Sequence, residues 1–523
     1  MCALILGVAR EGWARPLLIL HTNDLHSHFE HSMDPSQGGY AQLKATIDRL
    51  RDEAAQSGIE SILLDAGDFS EGTELFFAEH GDYSWRLLDA IGYDAAVFGN
   101  HDYLMGQKEL NDLLGRVRPQ FAIMGANFTM PWYELAEYKN LTKYIKPYSE
   151  FSRAGLKIGV LGLANDEFEY RWLVGPLTMD EPFEGVDRWL PEVRSRNDVV
   201  IALTHIGTAM DRELARTYSG IDAVVGGHWH EYVETPYMET NPDGVQVPVV
   251  QAGDHGRAVG RFLVDVEPGL PLKVLDYQLV RVPSAGPKDP AVDSMVKEAR
   301  KALEDEYGKD YLAEIVGASD VPLVRPTEHR TEWGQVVADA LQESAGAEMA
   351  VDSADLFGDD QPPGAVSRED LLLFYPRMFS LEERKGWNVW TTKAYGWVLK
   401  FALEQAYRQH VKFVFSSNFT FDVSGPSGKE KLSNLRLNGK PFNPLHSYKV
   451  ALPEGIGRAI DEISDLFKLV FRSPKDTGTP VWQAIEHKLR EIGVVKPGYG
   501  GDATRSSTMP MPSTRPGASP ADC

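Results

Sequence analysis

Two observations predict an α/β fold built on a layered sheet. Short apolar, strand-like runs alternate with amphipathic helical segments. Five of those runs also end in Asp or His, the side chains that carry chemistry at the carboxyl ends of parallel strands. The runs are PLLILHTNDLH (Pro16 to His26), SILLDAGD (Ser61 to Asp68), Ala95 to Phe98 leading into FGNHDYLMG, VVIALTH (Val199 to His205) and DAVVGGHWH (Asp222 to His230).

The elements follow in order. Leu17 to Leu20 reads as a buried strand, after which Asp24 and His26 would share one face if the chain stays extended. Gly38-Gly39 opens a helix with Leu43, Ile47 and Leu50 inward. Ser61 to Asp65 is the second strand, and a helix over 84–91 leads to the strand before Asn100. Leu156 to Ala164 reads as a core strand with no ligand at its end. His205 ends the next strand, and a short helix covers 211–218. His228 and His230 are again two apart, on one face of an extended chain. Val247 to Gln251 and Gly260 to Val266 close the unit.

Pro268, Gly269 and Pro271 interrupt the pattern, and a strand over 272–282 crosses over. Asp289 is placed to cap a helix with Pro290 at its first position and a stripe of Val292, Met295, Val296, Ala299 and Leu303. The expected division is a lead segment at 1–15, a first domain at 16–267 and a linker at 268–311. A second, smaller α/β domain follows at 312–496, with a disordered Gly/Ser/Thr/Pro-rich tail at 497–523. Helices are expected at 332–343 and 393–410, a capping box at Ser367 and Asp370, and strands at 412–415, 435–437 and 448–452.

The 523 residues exceed one core, and the hydrophobic (43%) and charged (25%) shares are those of globular chains. A net charge of -23 argues against a nucleic-acid polymer or an anionic membrane as partner. A small anionic substrate is still admitted, because divalent cations invert the local sign. The only cysteines, Cys2 and Cys523, exclude a thiolate metal site. No stretch approaches the ~20 apolar residues that span a bilayer. The apolar run at 2–9 fits two readings. One is the end of a signal peptide, for a periplasmic or secreted protein; the other is a lead-in to the first strand of a cytoplasmic one.

Three histidines, the Asp24/His26 pair, Asp68 and Asn100 at strand ends form an N,O donor set. It suits Mn, Zn, Co, Fe or Mg rather than copper or iron–sulfur. Two such ions about 3.5–4 Å apart clamp the attacking and leaving oxygens of a phosphoryl group. His21, His28, His31 and His255 read as packed or surface histidines.

Taken together, D-x-H, GDFSEG (Gly67 to Gly72), G-N-H-D, T-H and G-G-H-x-H resemble the calcineurin-like metallophosphatases. More narrowly, the chain resembles the 5'-nucleotidase / UDP-sugar hydrolase / 2',3'-cyclic phosphodiesterase family, with QAGDHGRAVGRF (Gln251 to Phe262) similar to its domain-closing segment. The resemblance implies a four-layer αββα domain followed by a 5'-nucleotidase-type C-terminal domain. It implies two divalent metals, one on Asp24, His26, Asp68 and His230, the other on Asp68, Asn100, His205 and His228. Hydrolysis of nucleotides by a metal-activated hydroxide would follow, with His101 stabilising charge or protonating the leaving oxygen.

The chain departs from that family at two places. Where the family reads G-N-H-E-F-D, the final Asp that orients the histidine is Leu104 here, and the side chain of Asp102 is expected to point elsewhere. In the second domain, Phe357 stands where the family has a nucleotide-holding arginine, and 452–457 replaces a G-G-D-G segment with its stacking aromatic. Phe413, Phe415, Phe419 and Phe421 offer a stacking face but read as core. The sequence thus supports a nucleotide phosphoesterase. Its alternatives are another phosphate ester, a thiohydrolase of related architecture (which lacks a histidine at the His101 position), and a non-catalytic metal- or ligand-binding protein.

Overall fold

The computed structural model describes residues 15–30, 38–131, 133–166, 177–326, 331–358, 360–375, 387–408, 413–426, 428–462 and 471–500. The expected lead segment up to residue 14, His31 and the tail from 501 lie outside these.

The first domain is four layers, αββα. A seven-stranded sheet runs in the order Lys273–Arg281, Ala258–Val266, Arg15–Thr22, Glu60–Asp65, Ala95–Val97, Ala122–Met124, Ile145–Lys146. Its five strands from Arg15–Thr22 onward are parallel, and the two at the other edge are antiparallel. A six-stranded sheet has Gln246–Val250, Ala223–Val225, Val199–His205 and Leu156–Ala164 parallel at its centre. The inner faces meet through Leu17, Ile19, Ile62 and Leu64 from one sheet and Ile158, Val160, Ile201 and Leu203 from the other. The continuous apolar runs seen in the sequence are those of strands covered on both faces.

Helices close the outer faces. Tyr40–Gln56 buries Leu43, Ile47 and Leu50 as its spacing requires, and Asp82–Ile91 and Gln107–Val117 lie beside it. Pro182–Arg196 and Thr208–Thr217 cover the six-stranded sheet. In register, Leu20 pairs with Leu63 and Leu64 with Ala95, which brings the carboxyl ends of the strands that lead to Asp24, Asp68 and Asn100 to one edge.

The strand Lys273–Arg281 is the outer strand of the seven-stranded sheet. The helix Pro290–Tyr307 is capped by Asp289, whose Oδ1 accepts from the amides of Ala291 and Val292, and it buries Val292, Val296, Ala299 and Leu303. Its apolar stripe belongs to one core that continues through Leu43 on one side and Trp333 and Val337 on the other. The second domain holds a five-stranded sheet ordered Phe413–Phe415, Met349–Ser353, Ser447–Pro453, Asn388–Tyr395, Phe471–Pro480. The capping box at Ser367 and Asp370 forms.

The helix expected at 393–410 starts later. Residues 393–395 end a strand paired on both sides, and the helix is Gly396–Arg408. Two-sided sheet pairing outweighs the helical apolar spacing of a segment this short. At the far end, residues 497–500 form a turn in which the Gly498 amide donates to Glu332 Oε1 at 3.1 Å.

Candidate metal centre

Loops leaving the two sheets converge on one buried cluster, and backbone hydrogen bonds zip them together. The amide of Asp24 donates to Gly67 O at 2.8 Å, that of His26 to Asp68 O at 2.9 Å, and that of His255 to Asp24 O at 2.7 Å. Asp24 and His26 do not sit on an extended chain. Both have left-handed φ values, 52° and 46°, and His228 (85°) and His230 (56°) do likewise. The expectation that each pair lies on one face of a strand therefore fails. A turn redirects each side chain separately, and left-handed backbone at a non-glycine residue, costing about 1–2 kcal/mol, clusters where function demands it.

The result separates His228 from His230. Asp24, His26 and His230 bring ligand atoms within 4.8 Å of one another, and so do Asp68, His205 and His228, and His26, Asp68 and His101. Asp68 Oδ2 lies 3.0 Å from His205 Nε2 and 3.8 Å from His26 Nε2, so this carboxylate stands between the first two groups. Asn100 is buried beside them, its Oδ1 accepting from Asn165 Nδ2 at 3.1 Å. The strand Leu156–Ala164, expected to carry no ligand at its end, is followed by Asn165, whose amide side chain holds Asn100 and which the apolar run before it gave no reason to single out.

Ring orientation is set from outside the cluster. His205 Nδ1 donates to the carbonyl of Ala66 at 2.7 Å and His26 Nδ1 to that of Glu71 at 2.8 Å, so both turn Nε2 inward. Asp24 is held by Asn23 Nδ2 at 2.6 Å and by the His228 amide at 3.0 Å. Asp102 does point away from His101. Its oxygens accept from the amides of Gly99 and Asp68, both at 2.8 Å, and of Ser70 at 2.9 Å, pinning two loops together. Nδ1 of His101 contacts the Glu71 carboxylate instead. Leu104 is fully buried in the core.

Two histidines read as packing residues belong here as well. His255 and His28 stack at 3.7 Å, His255 joins His230 and Asp254 in a fourth group, and Arg257 Nη2 donates to His255 Nδ1 at 3.1 Å. Burial depresses both rings well below the usual imidazole range; the charges of Arg257 and His26 add to it at His28, and those of His28 and Arg257 at His255. Neither ends an apolar run, which is why periodicity passed over them. His21 is a core histidine as expected, lowered to about 3 by burial.

The donor set fits divalent cations. The nitrogens and oxygens are hard to borderline, and the three groups built on Asp24 and Asp68 contain no thiolate. His205 Nε2 is buried and, despite its distance from Asp68, makes no aligned hydrogen bond, as a donor directed at a shared third partner would be. Burial opposes charge on His205 and His230, but Asp68 and Asp24 respectively outweigh it and raise both to about 10.

Comparison with known proteins follows the same lines. The calcineurin-like phosphoesterase family matches residues 17–232, and the 5'-nucleotidase C-terminal domain matches residues 315–467. The chain carries a calcineurin-like phosphoesterase domain followed by a 5'-nucleotidase C-terminal domain. Its curated relatives include the 5'-nucleotidase of Bos taurus, 27% identical over 365 residues (65% of this chain, 62% of that protein). The snake venom 5'-nucleotidase of Gloydius brevicauda is 33% identical over 267 residues (47% and 44%). The chain thus spans less than two thirds of the length of these relatives. A 5'-nucleotidase precursor from Thermus thermophilus shares the fold with a TM-score of 0.74 at 22% identity, covering 92% of this chain and 97% of that one. The sulfate thiohydrolase SoxB of Thermus thermophilus shares it at 0.70 and 17% identity, covering 92% and 95%.

No helix among the described residues is long and apolar enough to cross a membrane.

Proposed function

We propose that the chain is a dinuclear-metal phosphoesterase acting on small phosphate esters, nucleotides foremost. The observation that carries this reading is Asp68, buried between Asp24/His26/His230 on one side and His205/His228 on the other. Asp24, His26, Asp68 and His230 would hold one divalent ion, and Asp68, Asn100, His205 and His228 the second. When bound, the ions supply Lewis-acid charge and a water of lowered pKa. The protein's part is orientation: Ala66 O and Glu71 O aim the two imidazoles, while Asn23 and the His228 amide fix Asp24. His101, its amide donating to Asp68 Oδ1 at 2.7 Å, stands beside the carboxylate that would be shared by the two ions and would stabilise charge or protonate a leaving oxygen.

Nucleotides are favoured by the 5'-nucleotidase relatives and the matching C-terminal domain. A second reading, another phosphate ester at the same centre, rests on Phe357. This residue is buried against Trp333 and Tyr375 in the core. Phe415 and Phe419 are likewise core, packed on each other and on Phe421. A thiohydrolase activity is disfavoured by the presence of His101.

The deciding experiment is a panel of bis- and mono-p-nitrophenyl phosphate, AMP, UDP-glucose and 2',3'-cyclic AMP on protein reconstituted with Mn, Co, Zn or Mg. Preference for AMP or UDP-glucose supports the nucleotide reading, and turnover of generic esters alone supports the second. Two metals bound per chain with no turnover of any ester refutes both and leaves a metal-binding protein.

A further inference from the structure

We propose that Glu71 is the positioning residue for His101. Its carboxylate takes the Nδ1–H of the ring and fixes tautomer and orientation, leaving Nε2 turned toward Asp68, 3.9 Å from Oδ2. What His101 does in turnover rests on the phosphoesterase reading above; the contact itself does not.

The nearer candidates are otherwise engaged. Leu104 is apolar and fully buried in the core, and both oxygens of Asp102 accept from backbone amides of two loops. Glu71 comes from the other segment, GDFSEG, and is itself buried. Its backbone is left-handed, φ 41°, a conformation a glutamate adopts only under constraint from its surroundings. The next residue, Gly72, has φ 153°, and a Cβ there would sit 2.5 Å from both Cβ and O of His26. The loop is thus pressed against His26, and the Glu71 carbonyl receives that ring's Nδ1–H. One residue consequently orients two rings that lie edge to face with centroids 4.6 Å apart, His26 through its backbone and His101 through its side chain. A carboxylate on the far nitrogen of an imidazole locks the tautomer and stabilises the imidazolium when the ring takes a proton.

The test uses the full chain with Glu71→Leu, which removes the acceptor, and Glu71→Gln, which keeps an acceptor oxygen without the charge. His101→Ala and the two double variants complete the set, with bound metal measured for each. Nitrogen-15 spectra of histidine-labelled protein should show Nδ1–H on His101 in the parent and in Glu71→Gln, and its loss in Glu71→Leu. On p-nitrophenyl esters kcat should fall about 10-fold for Glu71→Gln and about 100-fold for Glu71→Leu, with KM little changed. Neither change should lower the rate further once His101 is Ala. An unchanged His101 tautomer in Glu71→Leu overturns the proposal, as does a rate loss that multiplies with that of His101→Ala. If Glu71→Leu does not fold, Glu71→Gln at the parent kcat overturns it equally. Should the parent hydrolyse no ester with any metal, the functional reading fails while the spectra still decide the contact.

Discussion

Arg300 Nη2 donates to Glu74 Oε1 at 2.8 Å, tying the helix that leads into the second domain to the first. The same guanidinium reaches Glu30 at 2.8 Å and contacts Glu369 in the second domain. One cation therefore serves three carboxylates from both halves of the molecule. Arg300→Met removes the group that joins Glu30, Glu74 and Glu369, and a loss of stability, read as a lower urea midpoint, is expected.

Glu74 also sets a pH dependence. Burial raises its carboxyl; the shared Arg300 pulls it down and Glu369 pushes it up, leaving it at about 8. The folded state thus holds this proton more tightly than the unfolded chain, where the group titrates near 4.5. Its contribution is fully present below about 4.5 and is lost as the pH rises through 8. Replacing it with Gln should flatten the decline in stability across that window, which urea titrations at pH 5, 6.5 and 8 will show. A parent-like slope in Glu74→Gln contradicts the assignment.

Asp102 is a cross-link rather than a catalytic group. Asp102→Ala orphans three buried amides, those of Gly99, Asp68 and Ser70, at about 1–3 kcal/mol each. A loss of roughly 3 kcal/mol or more, accompanied by weaker metal retention, is expected in denaturation and dialysis measurements.

Gly99 tests the centre by crowding alone. Its backbone is extended, so alanine is tolerated conformationally, yet a Cβ would lie 2.1 Å from Asp68 Oδ1 and 2.5 Å from the Asp68 amide. Gly99→Ala should keep the native circular dichroism spectrum and bind fewer metal ions. Asp68→Asn should do the same, with turnover down on the order of a thousand-fold. Full metal occupancy in either variant would overturn the proposed role of Asp68 in holding both ions.

Legible along the chain were the layered α/β architecture and which strands end in Asp, Asn or His. Doubly buried parallel strands need long apolar runs, and sites form where those runs stop, so Asp24, Asp68, Asn100, His205 and His230 were all visible as interruptions. Local capping was legible for the same reason: Asp289-Pro290 and Ser367/Asp370 act within one turn of their own helix. What only the tertiary structure decided is how the loops close on one another. The left-handed turns at Asp24, His26, Glu71, His228 and His230 are stabilised by bonds to segments distant in sequence, such as Asp24 to Gly67 and His255 to Asp24. No periodicity encodes those contacts. Glu71 beside His101, Asn165 beside Asn100 and His28 stacked on His255 are likewise pairings across loops, fixed by sheet register and loop path rather than by spacing along the chain.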